Sequence, residues 1–308
     1  MRKYLIVGTG GTGGPVGAYL AREGFDVTFI ARGDHLKAIR ENGLRVIRPA
    51  DEFTISPAKA ATLEEYEKSG EKPDVILLCV KGYSLDQVVP ALKNIACKNT
   101  IIIPILNIFG TGGKLKPEFP DSLVTDGCIY VAAQIKEPGV IQMNGDILRV
   151  IFGVRTPSDY RDELKEIEAD LNKSGILGIL SDNIARDALL KFSYVSPQGA
   201  CGLYYNVPAG DIQKPGEIRD CFVKLIKEVD ELAHAMDIDF KEDIAERNLK
   251  ILDGLSAGAT TSLQRDVAAG HASEIDGLIY EVVRLSEKYK TSAPEYSKIA
   301  DFLKEKGL

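Results

Sequence analysis

The sequence predicts an α/β chain in which a parallel sheet, covered by helices on both faces, precedes an all-helical region. Three observations predict it. Short apolar runs alternate with helical stretches through the first half, a glycine cluster separates the first run from the first helix, and the texture after about residue 180 is almost wholly helical.

In chain order, Tyr4 to Val7 is a compact apolar run that stops at glycine, as a strand buried on both faces does. Helical sequence follows from about Pro15 to Gly24, with Gly24 as its C-terminal stop. Val27 to Ala31 reads as a second strand, Asp74 to Val80 as a third and Thr100 to Leu106 as a fourth, with a helix from Ser84 to Ile95 before the last. Beyond Leu123 the apolar runs Val140 to Met143 and Ile147 to Phe152 flank Asn144-Gly145-Asp146. That step predicts a hairpin turn, so the sheet is expected to end in antiparallel strands. A helix from roughly Asp159 to Ser174 leads to a boundary near residue 180, giving two domains, 1–180 and 181–308. In the second, Ile218, Phe222, Leu225, Val229, Leu232 and Met236 form one apolar helical stripe, and Ile275, Leu278, Ile279, Val282 and Leu285 another. The stripe on Glu217 to Met236 suits burial within the domain first and a homodimer face second.

A chain of 308 residues can bury two cores, and 44% hydrophobic with 27% charged residues excludes wholesale disorder. The net charge of −7 does not favour nucleic acid or an anionic membrane surface as partner. No apolar run approaches the roughly 20 residues that span a bilayer. Met1-Arg2-Lys3-Tyr4 enters a strand with no small-residue cleavage site behind it, so the start reads as mature structure. Cys79, Cys97, Cys128, Cys201 and Cys221 are scattered and odd in number, which argues against a disulfide framework or zinc cage and for a reducing cytoplasm. His35, His234 and His271 never stand at ligand spacing, so no metal is expected.

Gly8-Thr9-Gly10-Gly11-Thr12-Gly13 fits G-x-G-x-x-G between a strand and a helix. The first glycine permits a tight turn, the second lets backbone approach a pyrophosphate, and the third lets helix pack on strand. The helix N-terminus then faces the phosphate charge. The first domain is therefore expected to be a Rossmann-type dinucleotide-binding domain. At the end of the second strand, where an acid would bind a ribose 2′-hydroxyl, stands Arg32, whose guanidinium suits a 2′-phosphate. NADP(H) is the expected cofactor, with Asp34 as the rival ribose acid.

Together with this loop, several segments resemble the ketopantoate reductases (2-dehydropantoate 2-reductases) over nearly the whole chain. They are Val80-Lys81-Gly82, Asn107 to Gly110, Lys191-Phe192, Pro208-Ala209-Gly210-Asp211, and Thr261-Ser262 followed by Glu274-Ile275-Asp276. The resemblance implies reduction of a 2-keto acid to a 2-hydroxy acid with NADPH, ketopantoate to pantoate in pantothenate and coenzyme A biosynthesis being the named candidate. Lys191 would donate the proton and polarise the carbonyl. Glu274 would keep that lysine protonated and aimed. Ser273 and Asp276 also form a capping pattern that would make Glu274 the first residue of a helix. Gly8, Thr9, Gly10, Gly11, Thr12, Gly13, Arg32, Lys81, Asn107 and Ala133 would meet the cofactor, and Asn107, Lys191, Ser262, Ser196 and Gln198 the small-molecule substrate.

The chain departs from the pattern in two ways. Ile108 follows Asn107 where the family usually has glycine, and Val195, Gly199, Ala209 and Ala259 stand where it typically places asparagines. Each lost hydrogen bond at a buried site costs about 1–3 kcal/mol, so the substrate is expected to differ from ketopantoate unless Ser196, Gln198 or Tyr194 substitutes. The alternatives are a D-2-hydroxyacid (mandelate-like) dehydrogenase on the same scaffold and a non-catalytic NADPH-binding sensor.

Overall fold

The computed structural model describes residues 1–308. Its contacts divide the chain into one unit of Met1–Leu106 with Gly110–Ile184 and another of Asn107–Phe109 with Ala185–Leu308. The division thus falls after Ile184, and Asn107–Phe109 are counted with the second unit. No helix is long and apolar enough to cross a membrane.

The first unit runs β1 (Lys3–Val7), α1 (Gly13–Arg22), β2 (Asp26–Ile30), α2 (Gly33–Asn42), β3 (Leu44–Ile47), β4 (Glu52–Ile55), β5 (Lys59–Ala61), α3 (Leu63–Ser69), β6 (Val75–Leu78) and α4 (Leu85–Ile95). It continues with β7 (Ile101–Pro104), α5 (Thr111–Leu115), β8 (Leu123–Val124), β9 (Asp126–Glu137), β10 (Val140–Gly153), α6 (Glu163–Lys173) and β11 (Leu177–Leu180).

Six strands form one sheet in the order β5-β2-β1-β6-β7-β8, every pairing parallel. Renumbered within the sheet this is 3-2-1-4-5-6, the dinucleotide-binding Rossmann order, which reverses between β1 and β6. Side-chain alternation on β1 explains why such strands read as unbroken apolar runs. Tyr4 and Ile6 join a core with Val16 and Leu20 of α1, while Leu5 and Val7 join the opposite core with Val89 and Leu92 of α4.

The antiparallel strands do not end this sheet, as the sequence suggested, but build a second one. It is ordered β11-β10-β3-β4, with β9 pairing β10. Ile141, Met143, Val150 and Phe152 of β10 share the core with α1, so α1 carries apolar side chains from two sheets and is buried from Gly13 to Leu20. The hairpin turn lies at Pro138-Gly139, where Gly139 takes φ +79°, and not at Asn144-Gly145-Asp146. Those residues sit inside β10 at a register shift between Met143 and Leu148, so the extra length is absorbed as a bulge.

The second unit holds α7 (Ile184–Tyr204, its first residue counted with the first unit), α8 (Ala209–Ile212), α9 (Glu217–Ala235), α10 (Ile244–Asp253), α11 (Ser262–Ala268), α12 (Glu281–Tyr289) and α13 (Pro294–Glu305). The stripe on α9 is spent inside this unit, where Phe222, Leu225, Val229 and Leu232 are fully buried, which removes it as a dimer face. The second stripe begins as a single π-helical stretch, Asp276–Tyr280, that runs into α12.

Candidate functional site

In the first unit, each glycine of the loop has a different neighbour. Gly8 takes φ +101°, and a Cβ there would stand 3.0 Å from the Cys79 carbonyl carbon and oxygen and from the Val80 nitrogen at the end of β6. A Cβ on Gly13 would lie 2.3 Å from the Gly8 oxygen, and one on Gly11 2.3 Å from the Ala133 oxygen on β9. Around Gly10 nothing lies within 4 Å of the Cβ position, so the space beside it is open. Thr9 is buried, and both its N–H and its hydroxyl donate to the Ile30 carbonyl, at 3.1 and 2.9 Å. Its side chain therefore fixes the loop and is not offered to a ligand.

The N–H groups of Gly10, Gly11 and Thr12 donate to no acceptor in the chain. Thr12 is the N-cap of α1 but provides no side-chain cap, and the first turn carries no acidic residue. A run of uncapped N–H donors at a helix start suits an anion. At the end of β2, Arg32 is exposed, is the N-cap of α2, and its guanidinium makes no hydrogen bond or ion pair. Asp34 is exposed in the first turn of α2, where the helix dipole accounts for an acid. Lys81 is half-buried three residues beyond β6, just ahead of a 3-10 turn, Gly82–Ser84. These residues, with Ala133, fit a dinucleotide's charged half. No cluster of His, Cys, Asp and Glu is arranged to hold a metal ion.

In the second unit the structure brings Lys191 and Asn107 together. The Lys191 side chain is on α7 and only 7% exposed, and its Nζ donates to Asn107 Oδ1 at 2.7 Å. The neighbours of Asn107 anchor the same segment. The Phe109 ring lies 6.2 Å from that of Phe192, and Ile108 packs on Gly277, where a Cβ would fall 2.4 Å from its Cδ1. Ile108 thus occupies space that Gly277 leaves.

Helical spacing puts Val195 and Gln198 on the Lys191 face of α7, four and seven residues on. Gln198 is buried, and the buried Tyr194 hydroxyl has no hydrogen-bond partner. Burial pushes the Tyr194 phenol pKa up, keeping it a neutral donor. Ser262 is the first residue of α11 and half-buried, with no partner for its hydroxyl, because Thr261 supplies the capping box with Gln264. Ser196 is placed differently. It is fully buried on another face, its hydroxyl bonded to the Leu278 carbonyl in the π-helical stretch and to the Tyr296 hydroxyl. This removes Ser196 from the substrate set.

Glu274 is buried but is not the first helical residue. It lies just ahead of the helix, and its carbonyl accepts from Leu278 N–H at 2.9 Å. The π-helical stretch takes Ile275 as its N-cap with no side-chain cap bond, and the Asp276 carboxylate accepts from Arg284 at 2.8 and 3.0 Å. Of the four small residues, Ala209 N–H bonds the Ala259 carbonyl at 2.9 Å, and a Cβ on Gly199 would sit 3.0 Å from Leu263 Cδ2.

Asn248 was not singled out by the sequence. Pro197 lies inside α7, so the Ser193 carbonyl four residues earlier loses its helical donor. Asn248, fully buried on α10, donates Nδ2 to that carbonyl at 2.9 Å and to Ser193 Oγ at 3.1 Å. Asn248→Ala is expected to destabilise the protein by about 1–3 kcal/mol through the buried groups left unpaired, readable as a lower urea midpoint at unchanged slope. A midpoint equal to wild type removes this role.

Comparison with known proteins covers both units of the chain. Residues 4–156 match the sequence model described as ketopantoate reductase PanE/ApbA, and residues 183–307 match the one described as its C-terminal region. The chain belongs to the ketopantoate reductase family. The family is one of dinucleotide-dependent oxidoreductases. The 2-dehydropantoate 2-reductase of Pyrococcus horikoshii is 27% identical over 95% of this chain and 93% of its own. An uncharacterized oxidoreductase of Bacillus subtilis, YkpB, is 24% identical over 95% and 94%. Among solved structures, D-mandelate dehydrogenase with NADH and anilino(oxo)acetate superposes with a TM-score of 0.89 at 21% identity, over 99% of this chain and 98% of that one. At that identity the likeness concerns the fold.

Proposed function

We propose that this ketopantoate reductase family member reduces a 2-keto acid to the 2-hydroxy acid with NADPH. The observation that carries the reading is the buried Lys191 ammonium held on Asn107 at 2.7 Å. When bound, the dinucleotide supplies a hydride to the carbonyl carbon. Lys191 hydrogen-bonds the carbonyl oxygen, lowers the cost of its developing charge and delivers the proton, giving the hydroxyl. Asn107 fixes the direction of Nζ. Glu274 keeps the lysine charged, and Gln198 and Ser262 offer groups to the substrate's polar end.

The preference for NADPH rests on Arg32, an exposed guanidinium without an internal partner just beyond β2, the strand that pairs with β1. Arg32→Ala is expected to raise the KM for NADPH by about tenfold or more, the loss of one charge-assisted pair, with the KM for NADH little changed. Equal effects on both cofactors would take Arg32 away from the 2′-phosphate.

Ketopantoate is the named candidate substrate, which would put the chain in pantothenate biosynthesis, and five free cysteines suit a reducing cytoplasm. The apolar Val195 on the Lys191 face favours a second reading, a D-2-hydroxyacid dehydrogenase for a less polar substrate. NADPH oxidation at 340 nm with ketopantoate and a panel of branched and aromatic 2-keto acids separates them. Fast turnover of ketopantoate supports the first, and a faster apolar competitor supports the second. NADPH binding with no turnover of any keto acid sinks both.

A further inference from the structure

His35, on α2, ties together two segments that the sequence keeps far apart. Its Nδ1 accepts from the Gly139 N–H at 3.0 Å, so that nitrogen carries no proton and Nε2 does. Nε2–H donates to the Thr9 carbonyl at 2.8 Å. Burial lowers the His35 pKa, which favours this neutral form. The turn at Gly139 is itself fixed. Its carbonyl accepts from Arg45 N–H at 2.9 Å, and a Cβ there would meet Ala38 Cβ of α2 at 3.0 Å.

The consequence falls on one peptide plane. Thr9 now has its N–H, hydroxyl and carbonyl all engaged, the first two by Ile30 and the third by His35. In a trans peptide the carbonyl and the following N–H point in opposite directions. With the Thr9 carbonyl held on His35, the Gly10 N–H is turned away from α2. That N–H has no partner in the chain, and the space beside Gly10 is open.

We propose that His35 is a positioning residue for dinucleotide binding, setting the Thr9–Gly10 peptide so that the Gly10 N–H faces the pyrophosphate. The assignment rests on the proposed use of NADPH, with the glycine loop as the site that receives its pyrophosphate. His35 does not touch the ligand; it acts through Thr9.

The test compares NADPH binding, followed by the cofactor's fluorescence, in wild type, His35→Ala and His35→Gln, with the Tm of each unliganded protein. Loss of the bridge should weaken NADPH by about tenfold, the scale of one well-made hydrogen bond. His35→Gln should restore most of the affinity, because its amide offers an acceptor oxygen and a donor nitrogen about as far apart as the two ring nitrogens. The KM for the keto acid should stay within about twofold. His35→Ala binding NADPH like wild type would overturn the proposal. So would His35→Gln no better than alanine at an equal Tm, which would mark the imidazole as mere filling. A wild-type protein that binds no dinucleotide would sink the loop assignment itself, a failure visible before any variant is made.

Discussion

Lys191→Ala is expected to lower turnover of the keto acid by a factor on the order of 10²–10⁴, the range of a positioned general acid, while NADPH affinity stays within about twofold. The two readouts separate because Lys191 and Asn107 belong to the helical unit, whereas the glycine loop and Arg32 belong to the other. The half-buried Asn107 amide left behind by the missing ammonium adds a stability cost of about 1 kcal/mol, so a lower Tm alone says nothing about chemistry. Lys191→Arg keeps the positive charge but replaces a compact ammonium with a planar fork that rarely gives up a proton. It should bind substrate and still turn over slowly. Turnover of Lys191→Ala near the wild-type rate would remove the lysine from proton transfer. A parallel loss of NADPH binding would show that the residue shapes the protein more widely than its bond to Asn107 indicates.

The sequence makes the Rossmann sheet legible because its central strands are buried on both faces. Tyr4 to Val7 and Val75 to Leu78 can only be uninterrupted apolar runs, and glycine ends the first at Gly8. The second sheet is hidden for the opposite reason. β3 and β4 are only four residues long each, with exposed positions such as Arg45 and Thr54 breaking the pattern. The Asn144-Gly145 step misleads because a local turn preference also suits a bulge, and Pro138-Gly139 supplies the turn that register requires.

The site divides in the same way. Gly8 and Gly13 are legible because neighbouring backbone leaves no room for a Cβ, and Gly10 through the spacing of the motif alone. Lys191 with Asn107 is legible only through resemblance, since 84 positions separate them. Pro197 in a helical stretch announces an orphaned carbonyl, but nothing in the chain says that Asn248 will satisfy it. Ser196 is the converse case. A serine next to a catalytic motif looks like a ligand group, and only its angular position on α7 shows that it holds the π-helical stretch.

Gly10→Ala and Gly11→Ala, two adjacent and chemically identical changes, are expected to fail in different ways. At Gly11 the added methyl would stand 2.3 Å from the Ala133 oxygen and 2.8 Å from its carbon, and both atoms are backbone. No rotamer change relieves that clash, so loop or β9 must move, at a cost of about 1–3 kcal/mol or more. The Tm should fall by several degrees with no ligand present. At Gly10 the same methyl meets nothing within 4 Å, and the residue's φ is not positive. Its Tm should stay level or rise slightly, since alanine restricts the unfolded chain by roughly 0.4–1 kcal/mol. Yet that methyl fills the space in front of the unpaired Gly10 N–H, so NADPH affinity should drop by about ten- to a hundredfold, the loss of one charge-assisted hydrogen bond. Calorimetric titration of NADPH beside thermal melting reads both quantities. A Gly10→Ala protein that melts like wild type and binds NADPH like wild type would mean that the open space is not where the pyrophosphate approaches. If affinity is lost at an unchanged Tm, the glycine is there for the ligand and not for the fold, a distinction the motif alone does not make.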